Sequence, residues 1–273
     1  MAKPASTSQN LTSAFLNAAK QAQAIALKHK VRSKQQLLAQ FATEPCEDQA
    51  VATVEYTEDG FRFVAGGSLQ ETLCHTQFER VGFDKEKGWN LGEDGLLLMV
   101  LESPHEGEFD QNMKPKGPAQ GTTGENIGKY LERQHHHLPH LATVAHGRYR
   151  LVLMNAIRYQ CSLGVSPTSI FRDFIFRKVW EQGGRTNFVT RLKKYLKGVE
   201  NQLIFVCCSK GETILPVKNG SDMADLRDLV YDAAKKVVAE DRLFRRPHPS
   251  SGWFCRKPSL RRRRKQPTRR RQR

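Results

Sequence analysis

No run of apolar residues in this chain approaches the ~18–20 that a membrane-crossing helix needs, so no transmembrane span is expected. An apolar signal-peptide core is missing too, because the stretch from Ala14 to Leu27 is broken by Asn17, Lys20 and Gln21. The six cysteines, Cys46, Cys74, Cys161, Cys207, Cys208 and Cys255, form no C-x-x-C pair. Without a secretory context, free thiols are expected rather than a disulfide framework. Cys207-Cys208 falls in the apolar run Leu203 to Cys208 and reads as two buried strand residues. His135, His136, His137 and His140 are clustered, but consecutive side chains in regular structure cannot all face one ion, so no metal is expected. No internal repeat is visible. These absences describe a soluble, cytoplasmic chain with no membrane partner, no obligate protein partner and no cofactor.

What the chain has in excess is positive charge. The formal net charge is +16 over 273 residues. Eleven of the Lys and Arg residues fall in 256–273, which contains no acid. A segment so charged cannot collapse into a core and is expected to be disordered. It suits phosphate contact by counterion release, which carries no sequence information. DNA is the expected partner.

The chain divides into three parts by pattern. Residues 1–90 read as an accessory region. Its first 45 residues are Ala-, Gln- and Lys-rich and helical, with a break near Lys30 to Ser33. Val51 to Tyr56 and Phe61 to Ala65 then alternate across Glu58-Asp59-Gly60, a hairpin signal. Residues 91–255 carry apolar runs at 96–101, 151–155, 203–208 and 242–245, separated by helical stretches. Gly124 to Gln134 is expected to form one helix, capped by Thr122-Thr123-Gly124. Asp222 to Ala239 forms another, with Leu226, Leu229, Val230, Ala233, Ala234, Val237 and Val238 on one face. Alternating strands and helices predict an α/β fold, a three-layer α/β/α sandwich around a central parallel four-stranded sheet. Residues 256–273 form the basic tail.

Three short motifs follow the apolar runs. They are Glu102-Ser103-Pro104-His105 after Leu96 to Leu101, Asn155 after Leu151 to Met154, and His248-Pro249-Ser250 after Leu243-Phe244. Ligands of open α/β sheets bind at the carboxyl ends of the strands, so Glu102, Asn155 and His248 are expected to meet in one pocket. A carboxylate, an amide and an imidazole, together with the basic charge, point to chemistry on a nucleobase.

The order of these motifs resembles the uracil-DNA glycosylase superfamily, and its iron–sulfur, thermophile-type branch most nearly. There Gly-Glu-Ala-Pro-Gly precedes Gly-x-Pro-Phe-x-Gly-x-x-Gly. Here Leu101 to His105 precedes Lys116-Gly117-Pro118-Ala119-Gln120-Gly121-Thr122-Thr123-Gly124. Asn155 matches the base-reading Asn of a Leu-Leu-Asn segment, and His248-Pro249-Ser250 matches the final His-Pro-Ser. The resemblance covers roughly residues 91–255. It implies a hydrolase that flips a nucleotide from DNA and breaks its N-glycosidic bond. Glu102 would steady the sugar cation or orient water, and His248 would donate to the pyrimidine O2. Ser103, His105, Ala119 and Asn155 would line the base pocket. Gly121, Ser250, Trp253 and Arg256 would face DNA, with Trp253 filling the gap left by the flipped nucleotide.

The departures bear on substrate. Ser103 and His105 stand where the uracil-specific branch has its water-positioning Asp and its Tyr. Ala119 stands where the stacking Phe would be, and Phe109 is the ring that could replace it. The cluster-binding cysteine spacing is absent. A wider pocket suits a bulky modified cytosine of phage DNA, which implies antiviral defence; uracil, in base-excision repair of DNA damage, is the other substrate. The rival function is a non-catalytic nucleic-acid-binding protein that retains the fold.

Overall fold

The computed structural model describes residues 7–28, 41–64, 95–137, 144–164, 168–211 and 225–256. The basic tail beyond Arg256, and the break expected near Lys30, lie outside the described residues. The chain opens with α1 (Thr7–Lys28). A hairpin follows, β1 (Gln49–Thr57) and β2 (Gly60–Phe63), turning at the Asp59-Gly60 pair that alternation marks. β3 (Gly95–Leu101) leads to α2 (Thr122–Tyr130), and β4 (Gly147–Asn155) to α3 (Thr168–Val179) and α4 (Arg185–Leu196). β5 (Gln202–Val206), α5 (Leu226–Ala234), β6 (Leu243–Arg245) and the single turn α6 (Gly252–Cys255) complete it. Among the described residues no helix is long and apolar enough to cross a membrane.

Among the described residues the sheet has six strands, in the order β2-β1-β4-β3-β5-β6. β4, β3, β5 and β6 run parallel, and β1 pairs antiparallel with β4. The expected four-stranded sheet is therefore extended by the hairpin. β4 has an outer edge whose backbone groups need partners, and β1 supplies them. All seven residues of β3 are buried, because the strand has a neighbour on either side and apolar side chains on both faces.

One face carries Leu96, Leu98, Val100 and Met154 against Phe15 of α1, Phe171 of α3 and Val230 of α5. The other carries Leu97, Met99, Leu153 and Phe205 against Ile127 of α2, Phe61 of β2 and Phe254 of α6. The N-terminal helix and hairpin thus contribute to the same core as the strands of residues 91–255. α3 and α4 are joined through a wide turn, Trp180–Gly184, in which Gly183 takes φ +115°, a conformation that any side chain would strain.

Both ends of each expected helix differ: α2 ends at Tyr130 and continues as a 3-10 helix from Leu131, and α5 ends at Ala234 rather than Ala239. Residue 121, not the Thr pair, occupies the position before α2: Gly121 takes φ +74° and no side chain caps the helix. α5 begins at Leu226 because the Asp225 carboxylate accepts from the Asp228 N–H at 2.7 Å, an ordinary N-cap.

Candidate functional site

The three motifs do reach the carboxyl edge of the parallel strands, but as two adjoining groups. β3 and β4 end side by side, Leu101 opposite Asn155. The backbone crosses between them, with Ala156 N–H donating to Leu101 O at 2.8 Å and Ile157 N–H to Glu102 O at 3.0 Å. Side chains alternate at a strand end. Glu102 turns toward α3 and Asn155 toward the segment before α2.

Glu102 is 4 % exposed. Its Oε2 accepts from Ser209 N–H at 3.2 Å and from the Ser209 hydroxyl. Its Oε1 lies 3.1 Å from Arg172 Nε. Burial raises the Glu102 pKa; the Arg172 charge and the Ser209 donors oppose the rise, and the neighbouring Asp173 adds to it. Ser103 sits beside the Cys161 thiol, which burial pushes up. His105 is exposed, and its Nδ1 accepts from Gly107 N–H at 3.3 Å, which starts a short turn.

His248 follows β6, which ends at the same edge of the sheet. Loss of hydration, with the nearby Arg172 charge second, lowers its pKa to about 4. Ser250 N–H donates to His248 Nδ1 at 3.2 Å, and the Ser250 hydroxyl oxygen is 2.8 Å from the same atom. A backbone N–H can only donate, so Nδ1 holds the lone pair and the ring proton sits on Nε2. A neutral imidazole with one fixed N–H is a hydrogen-bond donor that needs no charge. The His-Pro-Ser turn is tied to α2 by Asn126 Nδ2, which donates to Pro249 O at 2.8 Å.

The second group surrounds Asn155, which is 1 % exposed. Neither its Nδ2 nor its Oδ1 has a hydrogen-bond partner among the described residues, and Glu108 Oε2 and Gln49 Oε1 are buried in the same condition. Glu108 Oε1 accepts from Ala119 N–H at 2.7 Å. That bond fixes Ala119 at φ +61°, a left-handed backbone uncommon for a residue other than Gly. Gly117, at φ +124°, lets the Gln49 amide pack onto the backbone, since a Cβ there would fall 2.3 Å from Gln49 Oε1. Phe109 packs with Ala42 and Cys46 in a separate small cluster.

Burial raises Glu108 to about 8, opposed by the Ala119 N–H, the approach of Asn155, the His105 backbone and Lys116. A buried acid of this kind keeps its proton in the folded chain after the unfolded chain has lost it. Its contribution to stability therefore falls as pH rises from the usual carboxylate range to about 8. Replacing Glu108 by Gln is expected to flatten that decline in urea-unfolding free energy between about pH 5 and pH 8. An unchanged slope in the variant would count against a protonated Glu108.

Behind Asn155 lies a rigid support. Arg191 of α4 donates to Asn155 O at 2.8 Å and Ala156 O at 3.0 Å, and to both oxygens of Asp48 at 2.7 Å. Tyr195 Oη donates to Asp48 Oδ2 at 2.6 Å. On the outer side, Trp253 is 68 % exposed, so it is no core residue. The Arg256 guanidinium lies over its ring at 4.1 Å, and Gly121 and Ser250 are exposed nearby in sequence to the α2 and His248 turns.

The motif reading did not find Glu108, Gln49, Arg172 or Ser209. Arg172 and Glu108 carry no signature of their own, because each acquires its role only when a distant strand end is folded against it. No known protein family, curated protein or solved structure matches this chain.

Proposed function

We propose that this protein is a DNA glycosylase, akin to the uracil-DNA glycosylase superfamily and built as a three-layer α/β/α sandwich. It flips a non-canonical pyrimidine out of DNA and hydrolyses the N-glycosidic bond, leaving an abasic site. The observation that carries the reading is Asn155: a buried amide whose Nδ2 and Oδ1 have no hydrogen-bond partner among the described residues beyond the approach of the Glu108 carboxyl. An orphaned buried amide costs about 1–3 kcal/mol per group, a cost offset when a base presents its Watson–Crick edge. Glu108 beside it adds a further polar contact.

In the reaction the bond from the base nitrogen to the sugar C1′ breaks and its electron pair leaves with the base. His248 Nε2–H donates to the pyrimidine O2 as negative charge grows there. The Glu102 carboxylate faces the positive charge that grows on the sugar; a water oxygen then bonds to C1′ as one of its O–H bonds breaks, the proton passing to Glu102 and on through solvent to the departed base anion. Trp253, exposed beside the His-Pro-Ser turn, is suited to enter the base stack. The basic tail adds phosphate contacts that do not choose the base. Ala119 in place of a ring favours a bulky modified cytosine, as in phage DNA, with uracil as the other substrate.

The experiment is mass spectrometry of free bases after incubation with uracil-containing and phage-modified DNAs, with alkali-labile nicking as the parallel readout. Release of one modified pyrimidine is expected. DNA binding with no base released from any substrate would leave the non-catalytic DNA-binding reading, which the ion pair engaging Glu102 favours.

A further inference from the structure

We propose that Gln134 is the positioning residue of the DNA-facing edge of this site: its one amide fastens α6 to the end of β6, and so fixes the direction in which Trp253 leaves the surface. That Trp253 enters DNA rests on the glycosylase reading; the fastening itself does not.

α6 cannot hold itself in place. It is a single turn, and Ser251 before it supplies no side-chain cap. A helix this short has no stability of its own in water, so contacts from outside must fix it. Phe254 is fully buried and joins the core cluster of Ile127 and Leu131. Its neighbour Trp253 is exposed on the other side. Apolar contact has no direction, so the Phe254 anchor sets the depth of the turn and not its rotation.

Gln134 supplies the direction. It lies in the 3-10 helix Leu131–His137 that continues α2, and it is fully buried. Its Nε2 donates to Phe254 O at 3.0 Å and to Tyr130 O at 3.2 Å. Its Oε1 accepts from Arg246 Nε at 3.2 Å and from a terminal nitrogen of the same guanidinium. Both donors and the acceptor of one amide are thus engaged. Arg246 is itself buried just past β6, and its backbone N–H donates to Val206 O at 2.9 Å, at the end of β5. The sheet edge is therefore tied through Arg246 and Gln134 to the backbone beside Trp253.

The His-Pro-Ser turn has a separate tie. Asn126 of α2 holds Pro249 O, and Ser251 N–H donates to His248 O at 2.8 Å. Loss of the Gln134 amide releases α6 while the His248 turn stays attached. A side chain that fills the gap left by a flipped nucleotide must meet the stack at one place, and holding it there beforehand spares the cost of ordering it on binding. Single strands have no stack to open. The contribution of Gln134 should therefore appear on duplex DNA alone.

The test uses the full-length protein. Single-turnover base release is measured on duplex and single strands carrying the base that wild type releases, and amide hydrogen exchange is measured without DNA. The variants are Gln134→Glu, whose carboxylate still accepts from Arg246 but has no N–H for Phe254 O, and Trp253→Ala, alone and combined. Gln134→Glu is expected to slow release from duplex about tenfold, within reach of one hydrogen bond, and to leave single strands at the wild-type rate. In the Trp253→Ala background it should cost nothing further on duplex. The Phe254 amide, which donates to Ser251 O at 3.0 Å, should exchange faster, with the amides of β3 and β5 as in wild type. If Gln134→Glu fails to fold, Gln134→Leu with Arg246→Met strands no guanidinium and should show the same pattern. Equal slowing on both substrates, a further loss in the Trp253→Ala background, or exchange that rises in the sheet as much as in α6 would overturn the proposal. If wild type releases no base from any DNA, the glycosylase reading fails; faster exchange confined to α6 would still uphold the fastening, and unchanged exchange would overturn it.

Discussion

Exchange of Glu102 for Gln, or of His248 for Ala, is expected to slow single-turnover base release by about 10²–10³-fold each, with DNA binding and folding kept. The two substitutions act on opposite charges. Glu102→Gln keeps the side-chain volume and an acceptor for the Ser209 donors, but removes the anion from a site with almost no water. His248→Ala removes the Nε2–H donor that the Ser250 contacts fix in place. The rate of the free-base signal, normalised to the fraction of DNA bound, separates chemistry from affinity. Wild-type rates in both variants would sink the assignment. A loss confined to binding would move these residues from the reacting atoms to the DNA interface.

The second large effect is on stability. Arg191→Ala is expected to cost about 3–5 kcal/mol, because it strands Asp48, whose side chain is 2 % exposed. The carbonyls of Asn155 and Ala156 lose their donor as well. The double variant Asp48→Leu with Arg191→Met should recover much of that cost, since replacing a buried ion pair by apolar groups of similar size is often neutral. Recovery should be incomplete, because no methionine donates to the two carbonyls. Urea-unfolding midpoints with unchanged slopes are the measure. Equal destabilisation of the single and double variants would mean that the pair itself is not what the fold depends on. Base release in the double variant is informative too, for Arg191 holds the backbone that aims Asn155.

How much of this was legible before folding differs by element. The runs Leu96 to Leu101, Leu151 to Met154 and Leu203 to Val206 became parallel strands because apolar residues on both faces leave them few other fates. The Asp59-Gly60 turn was equally plain, since few sequences can close a tight hairpin. β4 starts earlier than its apolar run, at Gly147, because Arg148 and Arg150 stand on the sequence as polar breaks and yet pair with β1 through their backbones. Cys207-Cys208 is buried as the apolar run suggests, though the strand stops at Val206. That the hairpin joins the sheet at β4 could not be read, because pairing across so many residues leaves no local mark. Glu102, Asn155 and His248 were singled out by their motifs, and the structure sets them at or just past the carboxyl ends of β3, β4 and β6. The division into a Glu102 group and an Asn155 group depends on strand alternation at two adjacent ends, which the motif order does not encode.

The place of β1 has a consequence for synthesis on the ribosome. The hairpin can close as soon as β2 emerges, but its open edge has no partner until β4 is made, with all of β3 and α2 translated in between. Through that interval Ala50, Val51 and Val54, all buried in the finished molecule, line a strand with one unpaired side. Such edges recruit other strands. The nascent chain is therefore exposed to aggregation between the emergence of β2 and that of β4, and chaperone capture should peak before residue 155 leaves the exit tunnel and decline once β4 has closed the edge.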